Sequence, residues 1–142
     1  MKKKVIIVSG YFNPLHKGHI EYFYKAKAQG DYLDVIVNND FQRKIKGSKK
    51  FMDQEERILI INELKVVDKC FISIDRESSV SLTLEKLFKE YSNNYEILFA
   101  NGGDQNNNLI PEVNICKKYG ISLIDGLGDK IQSSSWILKN TR

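Results

Sequence analysis

Five short apolar runs, separated by segments with helical spacing, constrain the fold of this chain more than any other feature. Each run is bounded by polar or glycine residues and is too short for a buried helix, which favours a buried strand. Strands that alternate with helices are typical of a parallel sheet covered on both faces. The sequence therefore predicts an α/β fold with a doubly wound five-stranded parallel sheet. The predicted strands are Val5–Val8, Leu33–Val37, Cys70–Ile74, Ile97–Ala100 and Ile121–Ile124.

Five helices are predicted between and after these strands. Asp53 is the expected N-cap of the second, with Glu56 at the capping-box spacing, and Gly120 is the expected end of the fourth. The basic stretch 43–50 is expected to be a loop that could close over a ligand, because Gly47 and Ser48 follow Lys46. The predicted helices are Ile20–Ala28, Asp53–Leu64, Leu82–Tyr91, Pro111–Tyr119 and Ser133–Lys139.

Length and composition indicate one soluble domain that covers residues 1–142. The chain is 42% hydrophobic and 28% charged, and its net charge of +4 is mild. Cys70 and Cys116 match no metal-ligand spacing and are expected in the core. No signal peptide or membrane-spanning segment is apparent, so a cytoplasmic location with no membrane partner is expected.

Polar and glycine-rich segments follow four of the five predicted strands. In open α/β sheets, ligands bind at the carboxyl ends of the strands, so these segments are expected to share one edge of the sheet. Loops are often polar, but two histidines, two paired glycines and a serine triplet are more specific than that rule requires. The four segments are Gly10–His19, Asn38–Asp40, Asn101–Asp104 and Gly126–Ser135.

The only two histidines of the chain, His16 and His19, lie at one predicted strand-to-helix junction. N–H groups in the first turn of a helix lack intrahelical partners, and the helix dipole is positive there, so phosphate binds well. Two imidazoles three residues apart can donate to the same anion. Gly18, and Gly10 at the strand end, are expected to make room for a ligand. The junction is typical of phosphoryl transfer, which depends on positioning and charge stabilisation.

The segment from Gly10 to His19 resembles the G-x-F-[DN]-x-x-H-x-G-H signature of the cytidylyltransferase-like nucleotidylyltransferase superfamily, which has a Rossmann-like fold. The resemblance extends along nearly the whole chain, and its further motifs are weak individually but occur in the family's order. They are Gly30–Leu33, Val35–Asp40, Lys46-Gly47, Glu56-Arg57, Val66–Asp68, Asn101–Asp104 and Ser133–Ser135.

This resemblance implies that a phosphate oxygen of a small phosphorylated acceptor attacks the α-phosphate of a nucleoside triphosphate and releases pyrophosphate. His16 and His19 would stabilise the α-phosphate, while Lys46 and Ser133–Ser135 would hold the other phosphates. Asp40 and Arg57 would organise the acceptor or the triphosphate. Mg²⁺ would arrive with the nucleotide, since no ligand cluster marks a dedicated protein site.

The same resemblance assigns the nucleotide pocket and the acceptor side. Asn13 is expected to contact the acceptor, together with Asp40 and Arg57. The expected nucleotide-binding residues, besides the serine triplet Ser133, Ser134 and Ser135, are Gly10, Tyr11, Phe12, Gly18, Gly102, Gly103 and Asp104.

Within the superfamily, the pattern is most similar to the heptose-phosphate adenylylating branch, followed by the glycerol-phosphate cytidylyltransferases. Asn13-Pro14 replaces the Asp of the commoner form, and Leu138 occupies a position where other branches carry a cation, which comes one residue later at Lys139. The sugar-kinase domain often fused to this branch is absent from the sequence, so a stand-alone transferase is expected. A homodimer is expected from the family.

Two non-enzymatic alternatives remain at this stage. A nucleotide-binding sensor would bind nucleotide but release no pyrophosphate, and the intact histidine pair argues against it. A nucleic-acid-binding module would use the basic cluster within 43–50, but only Phe41 and Phe51 flank that cluster and no known module is apparent. No nucleic-acid partner is therefore expected.

Overall fold

The computed structural model describes residues 2–47, 49, 51–100 and 111–124. Five parallel strands form one sheet in the order β3-β2-β1-β4-β5. The prediction of a doubly wound five-stranded parallel sheet is confirmed, and each strand overlaps a predicted apolar run. The strands are β1 Lys3–Gly10, β2 Tyr32–Val37, β3 Lys69–Ile72, β4 Tyr95–Ala100 and β5 Ser122–Ile124.

Helices cover both faces of the sheet, and the central strand alternates its side chains between two cores. Ile6 and Val8 belong to the core formed with α1 and α3, whereas Val5 and Ile7 belong to the core formed with α4 and α5. The described helices are α1 Lys17–Lys27, α2 Asp40–Lys46, α3 Gln54–Asn62, α4 Ser81–Tyr91 and α5 Val113–Tyr119.

Helix α2 was not predicted, and the expectation that Lys46 lies in a loop is wrong. The Asn39 side chain accepts from the Gln42 N–H at 2.8 Å, and the Gln42 side chain accepts from the Asn39 N–H at 3.0 Å. This reciprocal capping box starts the helix. Gly47 ends it with a φ of 81° in the left-handed region, where glycine is unstrained. Lys46 is therefore the last residue of a capped helix.

The other helix boundaries follow the cap signals in the sequence. Asp53 accepts from the Glu56 N–H at 2.8 Å and caps α3, as predicted. Gly120 ends α5 in the left-handed conformation, with a φ of 70°. No helix in the described ranges is long and apolar enough to cross a membrane. The predicted helix Ser133–Lys139 lies outside the described residues.

The strand order places a topological switch point beside β1. After β3 the chain crosses to the other side of β1 and continues with β4. β2 and β3 lie on one side of β1, and β4 and β5 on the other. In open parallel sheets the crevice at the carboxyl ends beside such a point is the usual ligand site. The residues that follow β1 and β2 reach this carboxyl edge.

Candidate active site

The two histidines form the N-terminal cap of α1. His16 is the N-cap residue, and its Nδ1 accepts from the Gly18 N–H at 3.1 Å. The Nδ1 of His19, three residues on, accepts from the His16 N–H at 3.3 Å. The pair therefore builds a capping box from imidazoles, in a position usually held by hydroxyl, carboxylate or amide side chains.

This cap fixes the tautomer of both rings. A neutral imidazole that accepts through Nδ1 carries its proton on Nε2, so each ring becomes a donor through Nε2–H. The rings lie against each other with centroids 3.9 Å apart. Burial and the neighbouring His16 lower the pKa of His19 to about 3. His19 is thus a neutral hydrogen-bond donor across the physiological pH range.

The backbone amides of the first turn are less available than the sequence suggested. Gly18 N–H is bound to the His16 imidazole, and His19 N–H bonds to the His16 carbonyl at 3.0 Å. The expectation of an amide phosphate cradle at this turn is therefore corrected. The imidazoles, and not these amides, are the groups that can donate to an anion here.

Phe12 and Gly10 are packing residues beneath the histidine pair. Phe12 has a φ of 51° and is 3% exposed, and its ring lies edge-on to His19 with centroids 4.9 Å apart. A Cβ on Gly10 would lie 2.8 Å from the Phe12 ring. Gly10 therefore makes room for the Phe12 ring, which in turn supports His19. The nucleotide contacts expected of both residues stay predictions.

Asn13 binds the backbone of residues 49–52, and its contact with the acceptor stays a prediction. Its Oδ1 accepts from the N–H groups of Phe51 and Met52 at 2.9 and 2.8 Å, and its Nδ2 donates to the Lys49 carbonyl at 2.6 Å. The side chain is 1% exposed, and three of its four hydrogen-bonding positions are used. An aspartate could not donate to Lys49, which gives a physical reason for Asn at this position.

Arg57 is wholly buried and holds four groups with four of its five N–H donors. It donates to the carbonyls of Tyr11, Asn38 and Met52 at 2.7, 2.8 and 3.2 Å. Its fourth bond joins the carboxylate of Asp40 at 2.7 Å. Its guanidinium therefore connects the ends of β1 and β2 with the segment before α3 and the start of α2, and its contact with a substrate stays a prediction.

Asp40 completes this buried assembly from the first turn of α2. Its Oδ1 accepts from Arg57, and its Oδ2 accepts from the Gln54 N–H at 3.1 Å. The Gln54 side chain accepts in turn from the Asp40 N–H at 2.8 Å. The Asp40 side chain is 26% exposed, so part of it faces solvent at the carboxyl edge. Its bonds with Gln54 connect the start of α2 to the start of α3.

Lys46 lies on Tyr11, which places the last turn of α2 beside the β1–α1 junction. The Lys46 Nζ is 4.4 Å from the centroid of the Tyr11 ring, within cation–π range. Desolvation lowers the pKa of Lys46. Burial, the largest effect on Tyr11, raises the pKa of its hydroxyl. The Tyr11 carbonyl accepts from Arg57, so Tyr11 and Lys46 are both connected to the hydrogen-bond network of Arg57.

A polar network beyond β3 was missed by the sequence analysis. Gln42 is fully buried, donates to the carbonyls of Glu77 and Ser79 at 2.6 and 2.9 Å, and accepts from the Ser73 hydroxyl. Asn39 donates to the carbonyls of Ser73 and Asp75 at 3.0 and 2.9 Å. These bonds fix the segment between β3 and α4 against α2. The capping-box spacing of Asn39 and Gln42 was the signal that could have found it.

The described edge supplies two kinds of side chain. Arg57 and Asn13 are buried and spend their hydrogen bonds on the protein, whereas His16, His19 and Lys46 carry side chains whose chemistry suits an anionic ligand. Within the described residues no group of three or more His, Cys, Asp or Glu side chains could hold a metal ion. The remaining predicted site residues, Gly102, Gly103, Asp104, Ser133, Ser134 and Ser135, lie outside the described residues.

Comparison with known proteins identifies relatives for nearly the whole chain. A family model described as cytidylyltransferase-like matches residues 7–123. The bifunctional protein HldE of Blochmanniella floridana is 30% identical over 138 residues, which are 95% of this chain and 27% of the relative. FAD synthase of Picrophilus torridus is 37% identical over 67 residues, 47% of this chain and 48% of the relative. The chain therefore spans about a quarter to a half of the length of these relatives.

Solved structures share the fold. The lipopolysaccharide core biosynthesis protein from Thermoplasma volcanium has a TM-score of 0.66 and 26% identity, and the match covers 92% of this chain and 98% of that one. A structure described as a nicotinate-nucleotide adenylyltransferase from Vibrio parahaemolyticus has a TM-score of 0.63 at 16% identity, covering 99% of this chain and 86% of that one. The second likeness concerns the fold alone.

Proposed function

The chain belongs to the cytidylyltransferase-like family, and from that premise we propose that it is a nucleotidylyltransferase which uses ATP and a small phosphorylated acceptor. A phosphate oxygen of the acceptor attacks the α-phosphorus, the bond to the bridging β-phosphate oxygen breaks, and pyrophosphate leaves with that electron pair. The acceptor is a sugar or polyol phosphate of the heptose-1-phosphate type, and the product is a nucleotide-activated precursor for a surface polysaccharide.

The observation that carries the proposal is the stacked, Nδ1-capped pair His16 and His19. In the transition state, negative charge grows on the oxygens of the α-phosphate. Two imidazoles oriented by the α1 cap, of which His19 is held neutral, can bind those oxygens through Nε2–H without reorganising, which is the main requirement of phosphoryl transfer. The T-shaped contact of Phe12 holds the His19 ring in place while it does so.

Lys46 is proposed to bind the β- and γ-phosphates. Its position on Tyr11 brings the ammonium towards the histidine junction, and Arg57 and Asp40 fix the backbone on which both depend. In this scheme Ser133–Ser135 and Gly102–Asp104 complete the triphosphate and nucleoside pockets. Mg²⁺ is proposed to arrive with the nucleotide, whose phosphate oxygens are the ligands that it prefers.

The preference for ATP over CTP is supported by the names of the relatives. FAD synthase is named for a product that contains an adenylyl group, and the motif pattern points to the heptose-phosphate adenylylating branch. The matches to bifunctional proteins HldE and to a lipopolysaccharide core biosynthesis protein support a surface-sugar acceptor. A glycerol-3-phosphate-type cytidylyltransferase is the second candidate, favoured by the family-model description.

A substrate matrix tests the proposal. Purified protein with MgCl₂ is given ATP, CTP, GTP or UTP against sugar 1-phosphates, glycerol 3-phosphate and flavin mononucleotide, and pyrophosphate release is measured. We expect release with ATP and a sugar 1-phosphate. Release with CTP and glycerol 3-phosphate would establish the second candidate. Nucleotide binding without pyrophosphate in any combination would identify a sensor and overturn the proposal.

A further inference from the structure

A cavity of about 130 Å³ lies at the amino edge of the sheet, at the opposite end of the strands from the histidine pair. Tyr32 opens β2, Tyr91 ends α4 and Tyr95 opens β4, and all three line the cavity with Asp34. We call it the tyrosine cavity. At about 3.3 Å per residue, β2 separates it from the carboxyl edge by roughly 16 Å. The proposed transfer reaction uses none of these residues.

The aromatic rings of the cavity stand nearly at right angles. Tyr32 and Tyr95 have centroids 5.8 Å apart with their planes at 90°, and Tyr91 and Tyr95 have the same separation at 70°. The faces of such rings carry negative electrostatic potential and attract cations. Two lysines already lie near them: Lys69 Nζ is 5.6 Å from the Tyr91 centroid, and Lys3 Nζ is 5.9 Å from that of Tyr32.

Asp34 gives the cavity a buried negative charge. The residue is 3% exposed and accepts a hydrogen bond from Tyr91. No lysine or arginine of the described residues lies within 4.0 Å of its carboxylate, and Lys69, its register partner on β3, is directed to the Tyr91 ring. Burial raises the pKa of Asp34 to about 6, so the group is still ionised at neutral pH. Lys69 and Lys27 offset this burial only in part and at a distance, so the ionised carboxylate remains costly.

The neighbouring carboxylate does not share this property. Asp68 also lines the cavity, but its Oδ2 accepts from the Lys27 ammonium at 2.6 Å and from the Leu33 N–H at 2.7 Å. Its charge is thus already neutralised. The cavity thus combines aromatic walls with a buried carboxylate that has no lysine or arginine of the described residues in direct contact, and it has space for several non-hydrogen atoms.

We propose that the tyrosine cavity is a binding site for a small organic ammonium ion, with its charge against Asp34 and its alkyl groups against Tyr91 and Tyr95. A bare metal cation fits these walls poorly, because hard cations require six or more oxygen ligands. Lys69 lies at the rim as a competing charge. The site is independent of nucleotidyl transfer, so it stands or falls separately from the proposed function.

Tetramethylammonium and tert-butanol are a matched pair of probes, because both carry methyl groups on a central atom but only one is charged. We propose to titrate each into the full chain with ¹³C-labelled tyrosine, at constant ionic strength maintained with NaCl. Tetramethylammonium should shift the Tyr91 and Tyr95 resonances saturably and bind about tenfold or more tightly than tert-butanol. Equal binding of the two probes, or no shift of these rings, would overturn the proposal.

Two substitutions with opposite expected effects sharpen the test. Asp34→Asn should lower tetramethylammonium affinity about tenfold while it keeps the size of the side chain. Lys69→Met should raise the affinity about threefold, the order expected for removal of one partly exposed like charge. Lys44→Met, an exposed lysine of α2 at the other edge, is the matched control and should change nothing. Unchanged affinity in folded Asp34→Asn, or weaker binding in Lys69→Met, would contradict the proposed site.

Discussion

The two ends of the sheet handle buried charge in opposite ways. At the carboxyl edge, the fully buried Arg57 meets the carboxylate of Asp40 and three carbonyls, so its charge is paired and its donors are used. At the amino edge, the buried Asp34 accepts from a tyrosine hydroxyl, and Lys69 and Lys27 act on its charge only from beyond 4.0 Å. The first arrangement builds a rigid support, whereas the second keeps a charge without a direct ion pair next to a cavity.

The contrast shows where ligand chemistry should be sought. A buried charged group with all its partners inside the protein has little left for a ligand and acts by positioning others. At the carboxyl edge we therefore assign ligand binding to the half-buried histidines and to the lysine at the end of α2. At the amino edge we assign it to the buried carboxylate itself, because no lysine or arginine of the described residues forms a direct ion pair with it.

The largest effect is expected when the support at the carboxyl edge is broken. Arg57→Met leaves the Asp40 carboxylate and the carbonyls of Tyr11 and Asn38 without their donor, which should lower the free energy of unfolding by about 3–5 kcal/mol. Urea denaturation measures this. Arg76→Met is the control, since its exposed guanidinium only stacks on Phe41 at 4.0 Å and should contribute under about 1 kcal/mol. Similar losses in the two variants would contradict the supporting role.

The sequence was sufficient to predict the strands but not the support. Buried parallel strands appear as short apolar runs, so the sheet could be read directly. Arg57 was expected to face the substrate, because no sequence pattern reports that Tyr11, Asn38 and Met52 bring their carbonyls to one point. Those carbonyls come from three segments distant in the chain, and only the fold brings them together.

Two further misses have different physical causes. The positive charges around Lys46 are typical of an exposed loop, whereas the signals for helix α2 are the Asn39–Gln42 capping box and Gly47. Asp34 lies within the apolar run of β2, and no sequence pattern shows that its carboxylate is buried. The histidine junction was predictable, since both residues lie within one turn and local spacing determines their geometry.

The next largest effect concerns the imidazole donors of His16 and His19, which the α1 cap orients. His16→Asn keeps a good N-cap and His19→Gln keeps the reciprocal capping-box bond, but each removes an imidazole Nε2–H donor. Each should lower kcat by roughly 10²-fold, about 2.7 kcal/mol, while the unfolding free energy changes by less than about 1 kcal/mol. Pyrophosphate-release kinetics and urea denaturation check the two halves. Wild-type turnover in either variant would remove that histidine from the proposed mechanism.

Removal of the buried charge at the amino edge should raise the free energy of unfolding, whereas removal of Arg57 at the carboxyl edge should lower it. Asp34→Asn removes a buried charge and keeps an oxygen that can accept from Tyr91, so it should stabilise the protein by about 2 kcal/mol at pH 7. The folded pKa of about 6 lies above the ordinary value of 3.8, so the destabilisation is full above pH 6 and is lost as the pH falls towards 4. Urea denaturation at pH 7 and pH 4 tests this. A lower free energy of unfolding of Asp34→Asn at pH 7 would contradict the view that the buried Asp34 charge destabilises the protein.

A smaller effect is expected at the end of α2. Lys46→Met keeps the apolar contact with Tyr11 but removes the charge, and should weaken ATP binding about tenfold while AMP binding changes less. Calorimetric titration of both nucleotides gives the two constants. Lys44→Met, two residues earlier on the same helix and exposed, is the control for general attraction between α2 and phosphate. An equal loss for ATP and AMP would move Lys46 from the β- and γ-phosphates to the acceptor or the base.

The smallest expected effect compares the two edges by pH alone. His19 has a folded pKa of about 3, below the ordinary 6.5, so the stability that depends on its neutral form is full above pH 6.5 and is lost as the pH falls. Between pH 7.5 and 6 the loss should be at most about 1 kcal/mol, and it should be absent in His19→Gln. Acidification therefore acts through His19 to destabilise the protein and through Asp34 to stabilise it. The difference in unfolding free energy between wild type and His19→Gln gives the contribution of His19, and the difference between wild type and Asp34→Asn gives that of Asp34. NMR spectra give an independent check. Across the same pH range the chemical shifts of the His19 ring protons should stay constant. A titration of these protons near pH 6.5 would show that the ring is not the neutral donor required at the carboxyl edge.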